Sequence, residues 1–240
     1  MSFMDFTYWR STRSPLYSFL FTIPLFVIYE AGIFLTSSED LLVLRNGADA
    51  LMRQLLEWFG IFGLYGMGAM FLIGFIIIFI FQFKFWKGTN IHGDYLIIMI
   101  GESFVWSILI YFLMANAHLL LMTPTGRLLI QQVTLAVGAG IYEEFLFRVL
   151  LIAGISVLLG FIFQWSENTR DWMAMVIAAG IFSSFHFIGE YADYFSFEVF
   201  MIRFFAGLFL GTLYFLRGFG ITAWAHAFYD LIVLTRMTTQ

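Results

Sequence analysis

The stretch Gly138-Ala-Gly-Ile-Tyr-Glu-Glu-Phe-Leu-Phe-Arg-Val-Leu-Leu-Ile152 sets three ionisable side chains, Glu143, Glu144 and Arg148, inside a long apolar run. Facing lipid unpaired, they would cost about 8 to 10 kcal/mol together on membrane-insertion scales. They must therefore face inward, paired with one another or gathered around a water-filled cavity.

The rest of the chain agrees with a membrane setting. Of 240 residues, 61% are hydrophobic, 12% are charged and 32 are Phe, with a mean hydropathy of +0.89. A soluble domain of this length has no core large enough to bury so much apolar surface. Apolar runs of roughly 18 to 25 residues recur along the chain, the length of spanning helices and not of the short alternating strands of a barrel. The expectation is an all-α, polytopic transmembrane helical bundle of about seven spans plus an interfacial amphipathic helix. Residues 1–240 form a single integral membrane domain, with the motif-bearing core at 128–235. The absence of cysteine excludes disulfides, thiolate metal sites and cysteine nucleophiles. A net charge of -4 with scattered basic residues leaves no footprint for nucleic acid.

The expected spans cover residues 16–36, 60–83, 95–113, part of 128–163, 172–188, 199–216 and 219–235. The first apolar run begins only after Arg13 and is long enough to cross, so it reads as a retained membrane helix, not a cleaved signal. Residues 46–59 carry Asp49, Arg53 and Glu57 on one stripe and Leu51, Met52, Leu55 and Phe59 on the other, the pattern of an interfacial helix. Pro124 and Gly126 mark a turn. Residues 128–163 exceed one span: either a re-entrant or interfacial helix precedes it, or one long helix tilts or breaks near Gly138 and Gly140. With the N-terminus in the cytoplasm, Arg10, Arg13, Lys84, Lys87, Arg170 and Arg217 fall inside, against Arg45, Arg53, Arg127 and Arg236 outside, a slight positive-inside excess.

On an α-helix Glu144 and Arg148 lie about 40° apart and can pair, whereas Glu143 is displaced from Arg148 by about 140°. That spacing makes Glu144 and Arg148 a structural lock and Glu143 the candidate general base. Two further pairs share helix faces within apolar sequence: Phe182 with His186, and His226 with Asp230, each four residues apart. An imidazole and a carboxylate on one face can orient each other or present polar atoms to a common cavity. His92 falls in a loop and His118 at a span end.

Taken in order on successive hydrophobic helices, Glu-Glu-x-x-x-Arg at 143–148, Phe-x-x-x-His at 182–186 and His-x-x-x-Asp at 226–230 resemble the three motifs of the CAAX protease and bacteriocin-processing (CPBP or ABI) family. These are glutamic-type intramembrane endopeptidases, among them the eukaryotic prenyl-protein CAAX endopeptidase. The resemblance covers about 128–235. It implies that Glu143 and His186 activate a water for attack on a peptide carbonyl, that Glu144 and Arg148 brace the site, and that His226 and Asp230 complete the polar cavity and stabilise the oxyanion. It also implies a membrane-associated peptide or protein substrate, no cofactor, and a bacterial inner (plasma) membrane. One departure stands out, since eukaryotic prenyl proteases carry Asn where this chain has Asp230. An ionised Asp cannot donate to an oxyanion, so Asp230 is either protonated or orients His226.

Other readings compete. His-Glu-x-x-His and Gly-x-Gly-Asp do not occur, and Gly154-Ile-Ser156 lies in plain apolar helix with no neighbouring His, which disfavours zinc, presenilin-like and rhomboid-like sites. Two His and two Glu can nonetheless hold a divalent metal. A non-catalytic peptide-binding or bacteriocin-immunity protein would use the same cavity, and a proton-coupled transporter would use buried Glu and His as relays. The Glu144–Arg148 pair can be purely structural. Glu30 and Arg203 sit near span ends, where snorkelling accounts for them. Glu102 is expected to pair with Arg203 or to line the cavity.

Overall fold

The structure, a computed structural model, describes residues 6–35, 91–115, 129–188 and 193–237, together with Ile73 and Ile77. The expected interfacial helix at 46–59, most of the expected span at 60–83, His118 and the turn at Pro124 and Gly126 lie outside them. The chain is all-helical over these residues. Its helices are α1 (Phe6–Thr12), α2 (Pro15–Leu35), α3 (Gly93–Ala115), α4 (Leu129–Gly138), α5 (Ile152–Phe163), α6 (Glu167–Phe185), α7 (Phe197–Arg217) and α8 (Phe219–Met237).

Four helices among the described residues are long and apolar enough to cross a membrane: Pro15–Leu35, Gly93–Met114, Leu129–Phe163 and Phe197–Arg217, with Phe219–Leu234 a shorter apolar helix. The expected span at 172–188 falls within α6, which starts earlier and carries Glu167, Arg170 and Asp171 in its first turns. Those charges keep it out of the four. The outward faces are apolar, with Ile97 73%, Val105 65% and Phe161 85% exposed, as surfaces in contact with acyl chains should be.

Residues 129–163 form one long helix, which decides between the two alternatives left open by its length. α4 passes at Ala139 into a π-helical stretch, Ala139–Glu143, and after Glu144 into a second, Phe145–Leu151, before α5 resumes α-geometry. A π-helical ladder bonds each residue to the fifth along, and such segments favour functional sites because they re-aim side chains. The change of register falls at Gly138 and Gly140, near which one of the two alternatives allowed a tilt or a break.

α8 is the hub of the bundle. One apolar cluster joins Leu25, Tyr29 and Ile33 of α2 and Val137 of α4 to Ile141, Tyr142, Ala223 and Ala227. A second joins Tyr17 and Phe21 of α2 and Met99 and Ile110 of α3 to Leu210, Leu213, Ile221, Ala225 and Tyr229. α7 leads directly into α8 because Gly218, at φ +79°, takes a conformation that L side chains rarely adopt. α6 and α7 pack antiparallel and close: a Cβ at Gly207 would stand 3.2 Å from Ala179 and Phe182, and one at Gly211 would stand 2.6 Å from Met175. Small residues at contacts let helix backbones approach where no hydrophobic effect drives association.

Arg217, counted among the inward-side charges, is not solvated. It is fully buried. Its Nε lies 2.5 Å from Glu102 Oε1 and its Nη2 2.8 Å from both Glu102 Oε2 and Thr12 Oγ1. Nη1 donates to the Trp9 carbonyl at 3.3 Å. The Tyr8 hydroxyl donates to Glu102 at 2.7 Å and the Trp106 indole at 3.2 Å. Burial, and next the Glu102 carboxylate, push the Tyr8 phenol up, so it remains a donor. Glu102 thus pairs with Arg217 and not with Arg203, and the network ties α1 to α3 and the end of α7. Removing one partner strands the other charge. Glu102→Ala is expected to cost about 3 to 5 kcal/mol, and Glu102→Leu with Arg217→Met to recover most of that loss, as read by thermal unfolding in detergent.

Candidate active site

Glu144 is fully buried at the junction of the two π-helical stretches. Arg148 Nε lies 3.0 Å from its Oε2, and His226 Nδ1 lies 2.7 Å from its Oε1. The expected Glu144–Arg148 pair is present, and it extends to the third motif on α8. The approach that allows this is made by small residues. A Cβ at Gly140 would press on the Ala223 carbonyl oxygen and stand 2.9 Å from the Ala227 methyl, so α8 can come close enough for His226 to reach the residue one turn beyond Gly140.

Since an ionised carboxylate only accepts, His226 Nδ1 donates to Glu144. His226 Nε2 is 3.7 Å from Asp230 Oδ2, an ion-pair distance and longer than a hydrogen bond. His226 is therefore oriented by Glu144, and the alternative in which Asp230 orients it loses its main reason. Asp230 keeps 23% of its side-chain surface exposed and faces the same space as the Nε2 edge.

His186 follows α6 as its C-terminal cap. Its Nδ1 lies 2.9 Å from the Phe182 carbonyl oxygen. A carbonyl can only accept, so Nδ1 carries the proton and Nε2 of the neutral ring keeps its lone pair. Phe182 also stands edge-on to the His186 ring at 5.0 Å and lies 4.5 Å beneath the Arg148 guanidinium. The Phe of Phe-x-x-x-His thereby touches two other site residues, a role its i, i+4 spacing alone does not reveal.

Glu143 is buried on the π-helical stretch. Its charge acts on the rings of His186 and His226 and on Asp230. The α-helical projection separated Glu143 from Arg148; a ladder bonding every fifth residue brings positions 143 and 148 toward one face, and Arg148 feels both glutamates. The clean division between the two carboxylates is therefore softened. Arg148 Nη1 and Nη2 are buried and have no hydrogen-bond partner among the described residues.

Arg203 was read as a snorkelling residue. It is instead buried, at 8% exposure, with Nη2 2.6 Å from Asp193 Oδ2 and its guanidinium 5.4 Å over the Phe187 ring. Its charge reaches His186 and Tyr229. The signal was available in the sequence: Arg203, Gly207, Leu210, Gly211 and Arg217 form one inner stripe of α7. Ser156, set aside as a nucleophile, hydrogen-bonds Asp171 across to α6. Among the described residues no three His, Asp or Glu side chains converge as ligands of one metal ion.

A bundle of membrane helices that buries two glutamates, a histidine and an arginine, with the half-buried His186 at their edge, defines the class: a polytopic membrane protein with an internal polar site. Residues 124–232 match the family model described as type II CAAX prenyl endopeptidase Rce1-like. That match bears out the resemblance to the CAAX protease and bacteriocin-processing family, over nearly the residues in which the three motifs fall, and it supports a CAAX-type membrane protease activity. No curated protein and no solved structure matches the chain.

The closeness of α8 to Gly140 makes a direct test. Gly140→Val should push α8 outward, break the Glu144–His226 contact and destabilise the protein by about 1 to 3 kcal/mol. Thermal unfolding in detergent, with Gly154→Val on an open helix face as the control, measures it.

Proposed function

We propose that the protein is a glutamic-type intramembrane endopeptidase. It hydrolyses a peptide bond near a membrane-anchored or lipid-modified terminus of its substrate, in the plasma membrane of a bacterium as the resemblance implies. The observation that carries this reading is the His186 tautomer. With Nδ1–H held by the Phe182 carbonyl, Nε2 is the free basic edge of a ring that feels the Glu143 charge. A water between Glu143 and Nε2 would lose a proton as its oxygen attacks the substrate carbonyl, and the same groups would return that proton to the leaving amine.

His226 and Asp230 supply the other wall. To stabilise the oxyanion, His226 must present Nε2–H while Nδ1–H stays on Glu144, so the ring acts doubly protonated, with the Glu144 carboxylate as its counterion. Donors aimed at developing charge in a water-poor site contribute about 3 to 4 kcal/mol each. Glu144 and Arg148 act one step removed: they fix the His226 ring and the π-helical turn that carries Glu143. The bilayer and a membrane-associated peptide or protein are the partners implied, with no cofactor in the scheme.

Two measurements test it. Glu143→Gln and His186→Ala should each lower cleavage by about 10²- to 10⁴-fold with little change in folding, followed by mass spectrometry of membrane peptides that accumulate uncut; undiminished cleavage in either variant overturns the reading. Asp230→Asn should keep activity within about tenfold, because an amide can donate where a protonated carboxyl would and His226 is already oriented by Glu144. A loss as large as that of Glu143→Gln would show that the charge of Asp230 is required.

A further inference from the structure

Composition alone does not mark α6 as a span, because Glu167, Arg170 and Asp171 crowd its first turns. Its packing fixes its path. Trp172 meets Phe215 edge-on at 5.9 Å, Gly207 faces Ala179 and Phe182, and the Ser183 hydroxyl donates to the Phe200 carbonyl at 2.6 Å. α6 therefore runs beside the spanning helix α7 from end to end, in the opposite sense. The 19 residues of α6 rise about 28 Å and the 21 of α7 about 31 Å. Both lengths match a hydrocarbon core roughly 30 Å thick.

Non-helical backbone adjoins both ends of this pair. Gln164, Trp165 and Ser166 join α5 to α6, with Gln164 in the left-handed region at φ 53°. Residues 193–196 lead into α7, where Ser196 makes no side-chain cap, so the first amides of that helix have no partner within it. Such backbone needs water or polar headgroups and cannot face acyl chains. The side chains around it are nonetheless large and apolar. Phe163, Trp165 and Trp172 are exposed at one end, and Tyr194, at 95%, Phe195 and Phe197 at the other. The rings avoid water while the backbone beside them demands it, and the membrane–water interface meets both conditions.

We propose that the α5–α6 turn, through Phe163 and Trp165, and the segment Tyr194–Phe197 are interfacial anchors, seated in the headgroup layers of opposite leaflets with α6 held across the bilayer between them. Both patches continue into the acyl-facing surface. Phe163, stacked on Trp165 at 4.7 Å, follows the exposed Phe161 and Ile162. At the other end a run of ring contacts leads from Phe195 through Phe200 and Phe204 to the exposed Phe205. The exposed acids Glu167 at one end, and Asp193 and Glu198 at the other, mark the water side. One consequence reaches the polar site: the Asp193 amide donates to the His186 carbonyl at 3.0 Å, so the depth of the second anchor sets that of His186. This holds whether or not the protein is a peptidase.

The chain has no cysteine, so a single introduced thiol carries a nitroxide label without background. Phe163→Cys and Phe195→Cys report the two anchors, and Val176→Cys, exposed halfway along α6, reports the acyl region. The labelled full-length protein is placed in phosphatidylethanolamine–phosphatidylglycerol vesicles. Collision with oxygen, which concentrates among acyl chains, is compared with collision with a polar nickel chelate, which stays in water. The oxygen-to-nickel ratio should peak at Val176→Cys and fall at both anchors to values between that peak and the ratio of the same label free in solution. A ratio at either anchor equal to that of the free label shows a solvated loop and overturns the inference. So does a ratio equal to that at Val176→Cys, or exclusion of both reagents with dipolar broadening, the sign of a second copy seated there. Tyr194→Cys and Trp172→Cys, also at exposed side chains, carry the test if either of the first pair does not fold. None of these outcomes bears on the peptidase reading.

Discussion

A carboxylate with no solvent exposure in a membrane helix must have its charge answered from within the protein, and Glu144 is answered twice, by Arg148 on its own helix and by His226 on α8. Desolvating such groups costs several kcal/mol per ion, so the arrangement holds only while every partner is in place. This has a structural consequence beyond the pair. Glu144 can reach His226 only because Gly140, Ala223 and Ala227 let two backbones touch, so a chemical requirement has dictated where the bundle carries no side chains. The same three residues belong to, or border, the cluster that also buries Tyr29 and Tyr142. The polar site and the apolar core are therefore one packing problem.

The π-helical register solves a second part of it. In α-geometry two adjacent glutamates diverge by about 100°, and only one of them can face a given neighbour. With successive bonds spanning five residues, the turn widens, Glu144 contacts Arg148 and His226, and Arg148 feels the charge of both glutamates. The widened turn gains no stability of its own, since such stretches are rare in ordinary helices. It persists because Glu144 is pinned from both sides.

Much of this was legible before any coordinates. Charges amid apolar sequence forced an inward-facing site, the composition forced membrane helices, and the i, i+4 spacings of Phe182 with His186 and His226 with Asp230 set each pair on one face. Spacing failed where a helix was not an α-helix, so the angle between Glu143 and Arg148 was misjudged. It failed again where a partner was distant in the chain. Nothing local to Glu102 points to Arg217, 115 residues away, and a charge count at span ends gives no sign that Arg217 is the largest fully buried side chain among the described residues. Arg203 was misread for a similar reason: nearness to a helix end suggests solvent, but Asp193 and Phe187 close over it.

The buried arginines separate structural from chemical roles by their hydrogen-bond accounts. Arg217 is closed: all three guanidinium nitrogens donate, to a carboxylate, a hydroxyl and a carbonyl. With four of its five N–H groups engaged, its effect is to join helices. Arg148 and Arg203 are open, each with a paired nitrogen and at least one buried nitrogen lacking a partner among the described residues. In a water-rich interior that difference would mean little, since solvent fills open valences. Within a bilayer an open donor is costly. Both open arginines lie beside His186, Arg148 over the same Phe182 ring that His186 touches and Arg203 next to the segment that follows it, whereas the closed one lies against α1 and α3. Through Arg203, which belongs to none of the three motifs, the division of donors picks out the same end of the bundle as they do.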